Sequence, residues 1–318
     1  MRNFIHLSVM MCLRSNVIKF LVVLILVQAS VFSEERGKFE SFVWSSSEMN
    51  GKVYEKAVIL VPVTMAGNSQ KLYAQLDTGA DLTILYGRIM RKLGIPVDSA
   101  KSDAPPFRWY GHDREAGPLE EAEIINWTMD ADINLESGNR DFYVIGTIGL
   151  DKVIGKVLVL DFPGERFAVL NDTAEIKKLL PAKVSYVDGT VSYNKFYVNI
   201  QLGKDTINAV RYDCGSSMST LILPLDWWQW ATGLEGDEPE VVKDSVISWG
   251  EYVDILTAPA QYDMVFADIL LKNPEVMTVD WPDPTLAQTK LMGNAPFFDS
   301  LVVIVDCIRE KFGICRGF

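Results

Sequence analysis

Two hydrophobic runs in this chain each deliver an aspartate into a tight glycine turn. The first reads LYAQLDTGADLTIL, with Asp77-Thr78-Gly79 at the bend, and the second reads AVRYDCGSSMSTLIL, with Asp213-Cys214-Gly215. An apolar run that stops at an acid followed by glycine reads as a strand ending in a sharp turn. Two such turns restrict the fold strongly if they meet. Carboxylates brought face to face share one proton, so one acts as base while the other acts as acid on the same bond.

The two segments belong to a longer internal repeat. KAVILVPVTMAGNSQKLYAQL leads into Asp77 and KFYVNIQLGKDTINAVRY leads into Asp213. Both read as strand, polar turn, strand. A second match follows in the same order: TIGLDKVIGKVLVLDFPGERFAVL, containing Gly149 and Asp161, answers LMGNAPFFDSLVVIVDCIREKFGIC, containing Gly293 and Asp306. Glu165-Arg166-Phe167 then aligns with Glu310-Lys311-Phe312. Two matches in one order predict two structurally equivalent halves, residues 34–183 and 184–318. Runs such as KVLVLDF, FYVNIQL and SLVVIVD are rich in β-branched and aromatic residues and predict an all-β protein. Short helices are expected in GRIMRKLGI, AEIKKLL and PLDWWQWATGL.

With 318 residues, 48% of them apolar, the chain can bury a large core. A formal charge of −12 argues against nucleic-acid binding, which needs a basic face. Arg2, Arg14 and Lys19 precede an apolar run from Phe20 to Val27, and Val31-Phe32-Ser33 follows just before Glu34-Glu35. This pattern predicts a signal peptide over residues 1–33 and a secreted or periplasmic product, with no stable membrane span after cleavage. The run is shorter than the roughly 20 apolar residues of a comfortable membrane helix. An uncleaved anchor is the alternative. Export would leave His112 as the single histidine, which removes histidine-rich metal sites. It would also leave Cys214, Cys307 and Cys315. Cys307 and Cys315 take the places of Phe162 and Leu170 in the repeat. Either a disulfide across their hairpin or two buried thiols fits that placement.

At LDTGAD, TIG, YDCGSS and LMG the sequence resembles the aspartic peptidase superfamily, pepsin-like and retropepsin-like enzymes included. The first turn is similar to the retropepsin style and the second to the pepsin style. The resemblance covers about residues 50–318. It implies two homologous β-barrel-like lobes with an active cleft between them, in one chain that works as a monomer. It further implies hydrolysis of a peptide or protein substrate by water activated between Asp77 and Asp213, with no metal and no cofactor. Gly79 and Gly215 would let each turn close. Thr78 would reach across to lock the two turns, a role for which the thiol of Cys214 is a weaker donor and acceptor. Ser216 would hydrogen-bond its neighbouring carboxylate, which Ala80 cannot do. Tyr110-Gly111, in FRWYGHDREAGPLEEAEI, would form the flap over the cleft, with Ser248-Trp249-Gly250 in a comparable place in the second half. Trp227, Trp228 and Trp230 read as packing rather than as a substrate subsite. Two readings of activity stay open. One is an endopeptidase; the other, favoured by Cys214 and Ala80, is an inactive binding or inhibitor-like protein with the same fold.

Overall fold

The computed structural model describes residues 39–49, 52–65, 67–95, 107–109, 123–125, 141–248 and 251–317. Residues 1–33, read above as a signal peptide, lie outside this set, as do Tyr110 and Gly111. Among the described residues no helix is long and apolar enough to cross a membrane. Glu40–Phe318 form one compact unit.

The molecule is mostly β, as the sequence predicts. The first half contributes β1 (Glu40–Ser41), β2 (Val43–Met49), β3 (Lys52–Met65), β4 (Leu72–Leu76), β5 (Ile84–Tyr86), β6 (Phe107–Trp109), β7 (Glu123–Ile125), β8 (Tyr143–Ile148), β9 (Val157–Asp161) and β10 (Arg166–Leu170). The second contributes β11 (Ser185–Ser192), β12 (Lys195–Leu202), β13 (Asp205–Tyr212), β14 (Leu221–Ile222), β15 (Val242–Ser248), β16 (Glu251–Pro259), β17 (Met264–Phe266), β18 (Ile269–Leu271), β19 (Glu275–Val279), β20 (Leu291–Met292), β21 (Leu301–Asp306) and β22 (Lys311–Arg316). The three expected helices form at Gly87–Lys92, Ala174–Leu179 and Leu225–Thr232.

The repeat in the sequence is a repeat in strand pairing. In the first half β3 and β4 form an antiparallel hairpin, β4 runs parallel to β8, and β5 lies antiparallel to β8 and parallel to β7. In the second, β12 and β13 form the hairpin, β13 runs parallel to β20, and β14 lies antiparallel to β20 and parallel to β19. Each parallel strand threads between the aspartate-bearing strand and the strand after its turn. The order cannot form unless the chain leaves the hairpin at the aspartate and returns beside it.

The halves join through β9 and β21, which pair antiparallel with Val159 opposite Ile304. These two residues are counterparts in the repeat, so a local two-fold axis passes through their pairing. VLVLD is buried along its whole length, and LVVIVD is buried from Val302 onward. Continuous β-branched and leucine runs suit strands covered on both faces. Each strand turns back through a matching charged bend. Asp161 accepts from the Gly164 N–H at 3.1 Å and from Arg166 Nε at 2.6 Å. Asp306 accepts from the Ile308 and Arg309 N–H groups at 3.0 and 2.9 Å, and from Arg309 Nε at 2.6 Å. Both glutamates of the repeat sit in the left-handed region, Glu165 at φ 47° and Glu310 at φ 53°.

The structure corrects the disulfide expectation. Cys307 and Cys315 are free. Cys315 stands opposite Val302, whereas Cys307 lies past the last pair, Asp306 opposite Lys311. At about 3.3 Å per strand residue, the four residues from Lys311 to Cys315 carry the second thiol beyond the roughly 7 Å Cα limit of a disulfide. Burial pushes the Cys307 thiol up to about 12 and that of Cys315 to about 11.

Candidate active site

The sequence LYAQL is buried at every position, so β4 enters the core and delivers Asp77 at its rim. The Asp77 N–H bonds Ile148 O at 3.0 Å, one step beyond the β4–β8 ladder. The chain then bends. The N–H groups of Gly79 and Ala80 both donate to Asp77 Oδ1, at 2.8 and 3.1 Å. The second turn repeats this. The Asp213 N–H bonds Met292 O at 3.0 Å, and the N–H groups of Gly215 and Ser216 donate to Asp213 Oδ1 at 2.9 and 3.2 Å. Each aspartate therefore commits one oxygen to its own turn.

The two turns face each other. A methyl group on Gly79 would fall 2.4 Å from the Asp213 carboxyl carbon, and one on Gly215 would fall 2.4 Å from that of Asp77. Neither position tolerates a side chain, because each glycine is the seat of the opposite carboxylate. Asp77 and Asp213 are 8% and 9% exposed. Burial, then the charge of Asp213, then a hydrogen bond with Asp213 hold the Asp77 carboxyl well above the usual carboxylate range. The Gly79 N–H and the charge of Arg211 oppose that rise.

Thr78 and Cys214 clasp the turns from below, across a separation of 136 residues. The Cys214 N–H donates to Thr78 Oγ1 at 2.9 Å, and the Thr78 hydroxyl donates to Tyr212 O at 3.2 Å. In return the Thr78 N–H donates to Cys214 Sγ at 3.2 Å, and the thiol donates to Leu76 O at 3.3 Å. The sulfur completes every link of the reciprocal set, although each of its bonds is weaker than a hydroxyl's. Burial and the Asp77 charge push the Cys214 thiol well up, so it stays protonated and remains a donor. Cys214→Val has the shape of Cys214→Thr but strands the Thr78 N–H and the Leu76 carbonyl. We expect it to cost about 2 kcal/mol, read as a lower midpoint in urea unfolding, with Cys214→Thr keeping most of the wild-type midpoint. Equal midpoints for wild type and the valine variant would show that the sulfur holds nothing.

Ser216 departs from expectation. Its hydroxyl lies 2.8 Å from that of Ser219, and its contribution to Asp213 is the backbone N–H. Sequence reasoning also missed the support beneath the second turn. Asn294, fully buried, donates to Cys214 O and Ser217 Oγ, both at 2.9 Å, and accepts from the Tyr212 hydroxyl at 2.7 Å. The only hint was an asparagine directly after Gly293.

The aspartates open into a cavity of about 270 Å³. Its walls include Tyr86, Met218, Ile222, Val246, Val279 and Trp281. Arg211 also lines it and was not anticipated. Tyr110 and Gly111, the expected flap, lie outside the described residues. The strand before them is anchored: β6 pairs with β3, and Trp109 is buried and stacks on Phe167 at 6.0 Å. In the second half β15 and β16 form a hairpin up to Ser248 opposite Glu251, while Trp249 and Gly250 again lie outside the described set. The tryptophan cluster packs as expected. Trp228 is fully buried and donates to Val276 O at 3.1 Å, and Trp230 stacks on Tyr262 at 5.4 Å.

No family model matches the sequence, and no curated protein matches it. Among solved structures, the chain is similar to conglutin gamma, a basic 7S globulin from lupine seeds, at 7% identity and a TM-score of 0.45, over 87% of this chain and 94% of that one. It is also similar to a retropepsin-like aspartic protease from Rickettsia conorii, at 14% identity and a TM-score of 0.32, over 42% of this chain and 92% of that one.

Proposed function

We propose that the chain is an exported aspartic endopeptidase, with Asp77 and Asp213 as its catalytic pair, residues 34–183 and 184–318 as its two lobes and a peptide or protein as its substrate. The observation that carries this reading is the reciprocal seating of each carboxylate on the other turn's glycine. A static acidic pair without a task would be costly to bury, since each charge raises the free energy of the other.

The chemistry follows from the geometry. In each turn one carboxylate oxygen is pinned by two N–H groups, leaving the other to face the cleft. The pair holds one proton between two oxygens, and the proton belongs to the pair. A water entering between them loses a proton to the ionised aspartate as it attacks the peptide carbonyl. The protonated aspartate donates to the carbonyl oxygen. The leaving nitrogen then takes a proton from the pair as the carbon–nitrogen bond breaks, and a hydroxyl of the tetrahedral carbon returns one to the pair as the carbonyl re-forms. The raised Asp77 carboxyl extends the range in which one proton is retained, so activity should peak on the acid side of neutrality.

The test is cleavage of an unfolded protein by the chain lacking residues 1–33, from acid to neutral pH, with and without a statine-type mimic of the tetrahedral intermediate. The expected result is cleavage in acid that the mimic blocks. Absence of cleavage throughout would abandon the enzyme and leave the binding-protein reading.

A further inference from the structure

Arg211 opposes the rise of the Asp77 carboxyl, but the proton transfers of peptide hydrolysis by two aspartates give its guanidinium no hydrogen-bonding task. It stands two residues before Asp213 on β13. Because a strand alternates its sides, it shares the cleft face with Asp213 while Tyr212 turns into the core. Its backbone is fixed by the N–H bond to Lys290 O at 2.8 Å and by its parallel register with Leu291. Arg211 Nε is buried and has no hydrogen-bond partner. The guanidinium makes no ion pair among the described residues, although Asp77 and Asp213 line the same cavity. Among the described lining residues it is the only cation, in a cavity whose lining also includes the apolar Ile222, Val279, Trp281 and Leu291 and several serines and threonines. The counterpart in the first half is Gln75, which is neutral, so the charge is not part of the repeated framework.

A buried guanidinium nitrogen without a partner is expensive, and the expense is removed when a planar anion bonds it. We propose that Arg211 is a subsite for a substrate carboxylate, so that the cleft selects peptides carrying a carboxylate beside apolar residues close to the bond that is cut. The carboxylate comes from an acidic side chain or from the free end of the peptide. This assignment rests on the peptidase reading and names its substrate class. The amide analogue is disfavoured, since Gln or a terminal amide offers one neutral oxygen where a carboxylate offers two charged ones to the guanidinium fork.

The test uses two peptide sets. In one, a single Glu or Gln is walked along the positions flanking the cleaved bond of an apolar peptide. In the other, one peptide ends as free acid or as amide. Wild type should favour the carboxylate form in one set by about tenfold or more in kcat/KM. The set that responds identifies the source. Arg211→Gln should bring that ratio to about one, and Arg211→Lys should restore part of it, because a lysine keeps the charge but not the planar fork. Calorimetric titration of wild type with statine-containing Glu and Gln peptides reads the same preference without turnover. Cleavage with ratios near one in both sets overturns the Arg211 assignment and leaves the peptidase intact. An Arg211-dependent preference in binding without any cleavage overturns the peptidase reading alone. Equal binding of both forms, with or without cleavage, also overturns the assignment.

Discussion

On the peptidase reading, Asp77→Asn should abolish peptide cleavage at every pH from acid to neutral, by on the order of 10³-fold or more. The substitution is close to isosteric. The amide oxygen still accepts the Gly79 and Ala80 N–H bonds, so the turn survives. What is lost is the ability of that position to exchange a proton, and Asp213 alone cannot serve as both base and acid. The same variant carries a second readout with a definite sign. Asp77 is raised above its ordinary value of 3.8, chiefly by burial and then by Asp213. The folded state therefore holds this proton more tightly than the unfolded chain does. The resulting stability is fully present below the ordinary value and is lost as pH rises through the raised one. Asparagine removes that dependence, so the variant should gain on wild type in thermal stability as pH approaches neutrality, and the gain should be smallest in acid. An inert variant with an unchanged pH–stability curve would mean that Asp77 does not share a proton in the folded protein. A variant as active as wild type would remove Asp77 from the mechanism.

Gly293→Ala should produce the largest structural loss of any single methyl addition near the site. The new methyl would lie 2.0 Å from Ser216 O and 2.5 Å from Ser219 O, both backbone atoms that cannot swing aside. Overpacking of this kind costs about 3 kcal/mol. It also displaces the turn whose Ser216 N–H holds Asp213, so activity and stability should fall together. Gly149→Ala, at the matching position of the first half, would put its methyl 2.7 Å from Leu82 O and 2.9 Å from Ala80 O. The same direction with a smaller effect is expected there. Urea midpoints for both variants, beside initial rates on one peptide, test the order. If Gly293→Ala matched wild type in both, the close approach of β20 to the second turn would not exist in solution.

Much of this was legible in the sequence, for a physical reason. A carboxylate on a rigid turn needs a strand, an acid and a glycine in consecutive positions, and the thread of β8 or β20 beside it needs a glycine of its own. Those requirements are local and leave a local pattern. The repeat also told which residues correspond, and the pairing of Val159 with Ile304 turns that correspondence into an axis. What was not legible depends on distant partners. Thr78 and Cys214 could be named as a pair, but the sulfur's two bonds needed the positions of Leu76 and the Thr78 N–H. Cys307 and Cys315 aligned well with Phe162 and Leu170, yet the hairpin register sets them apart. Arg211 carried a readable signal: period-two alternation from Asp213 puts a cation on the cleft side. Nothing local in the sequence says that its nitrogen lacks a partner.

The join between β9 and β21 has a consequence for timing. During synthesis, residues 157–161 emerge long before residues 301–306, and a strand buried on both sides cannot settle while one neighbour is still unmade. Contacts so distant along a chain close slowly, and they are entered late. The clasp between Thr78 and Cys214 waits only for the second turn to be made. A chain cut short of residues 301–306 thus carries both aspartates without the strand that joins their halves. The order of assembly ties the seam between the halves to the last strands of the chain to be made.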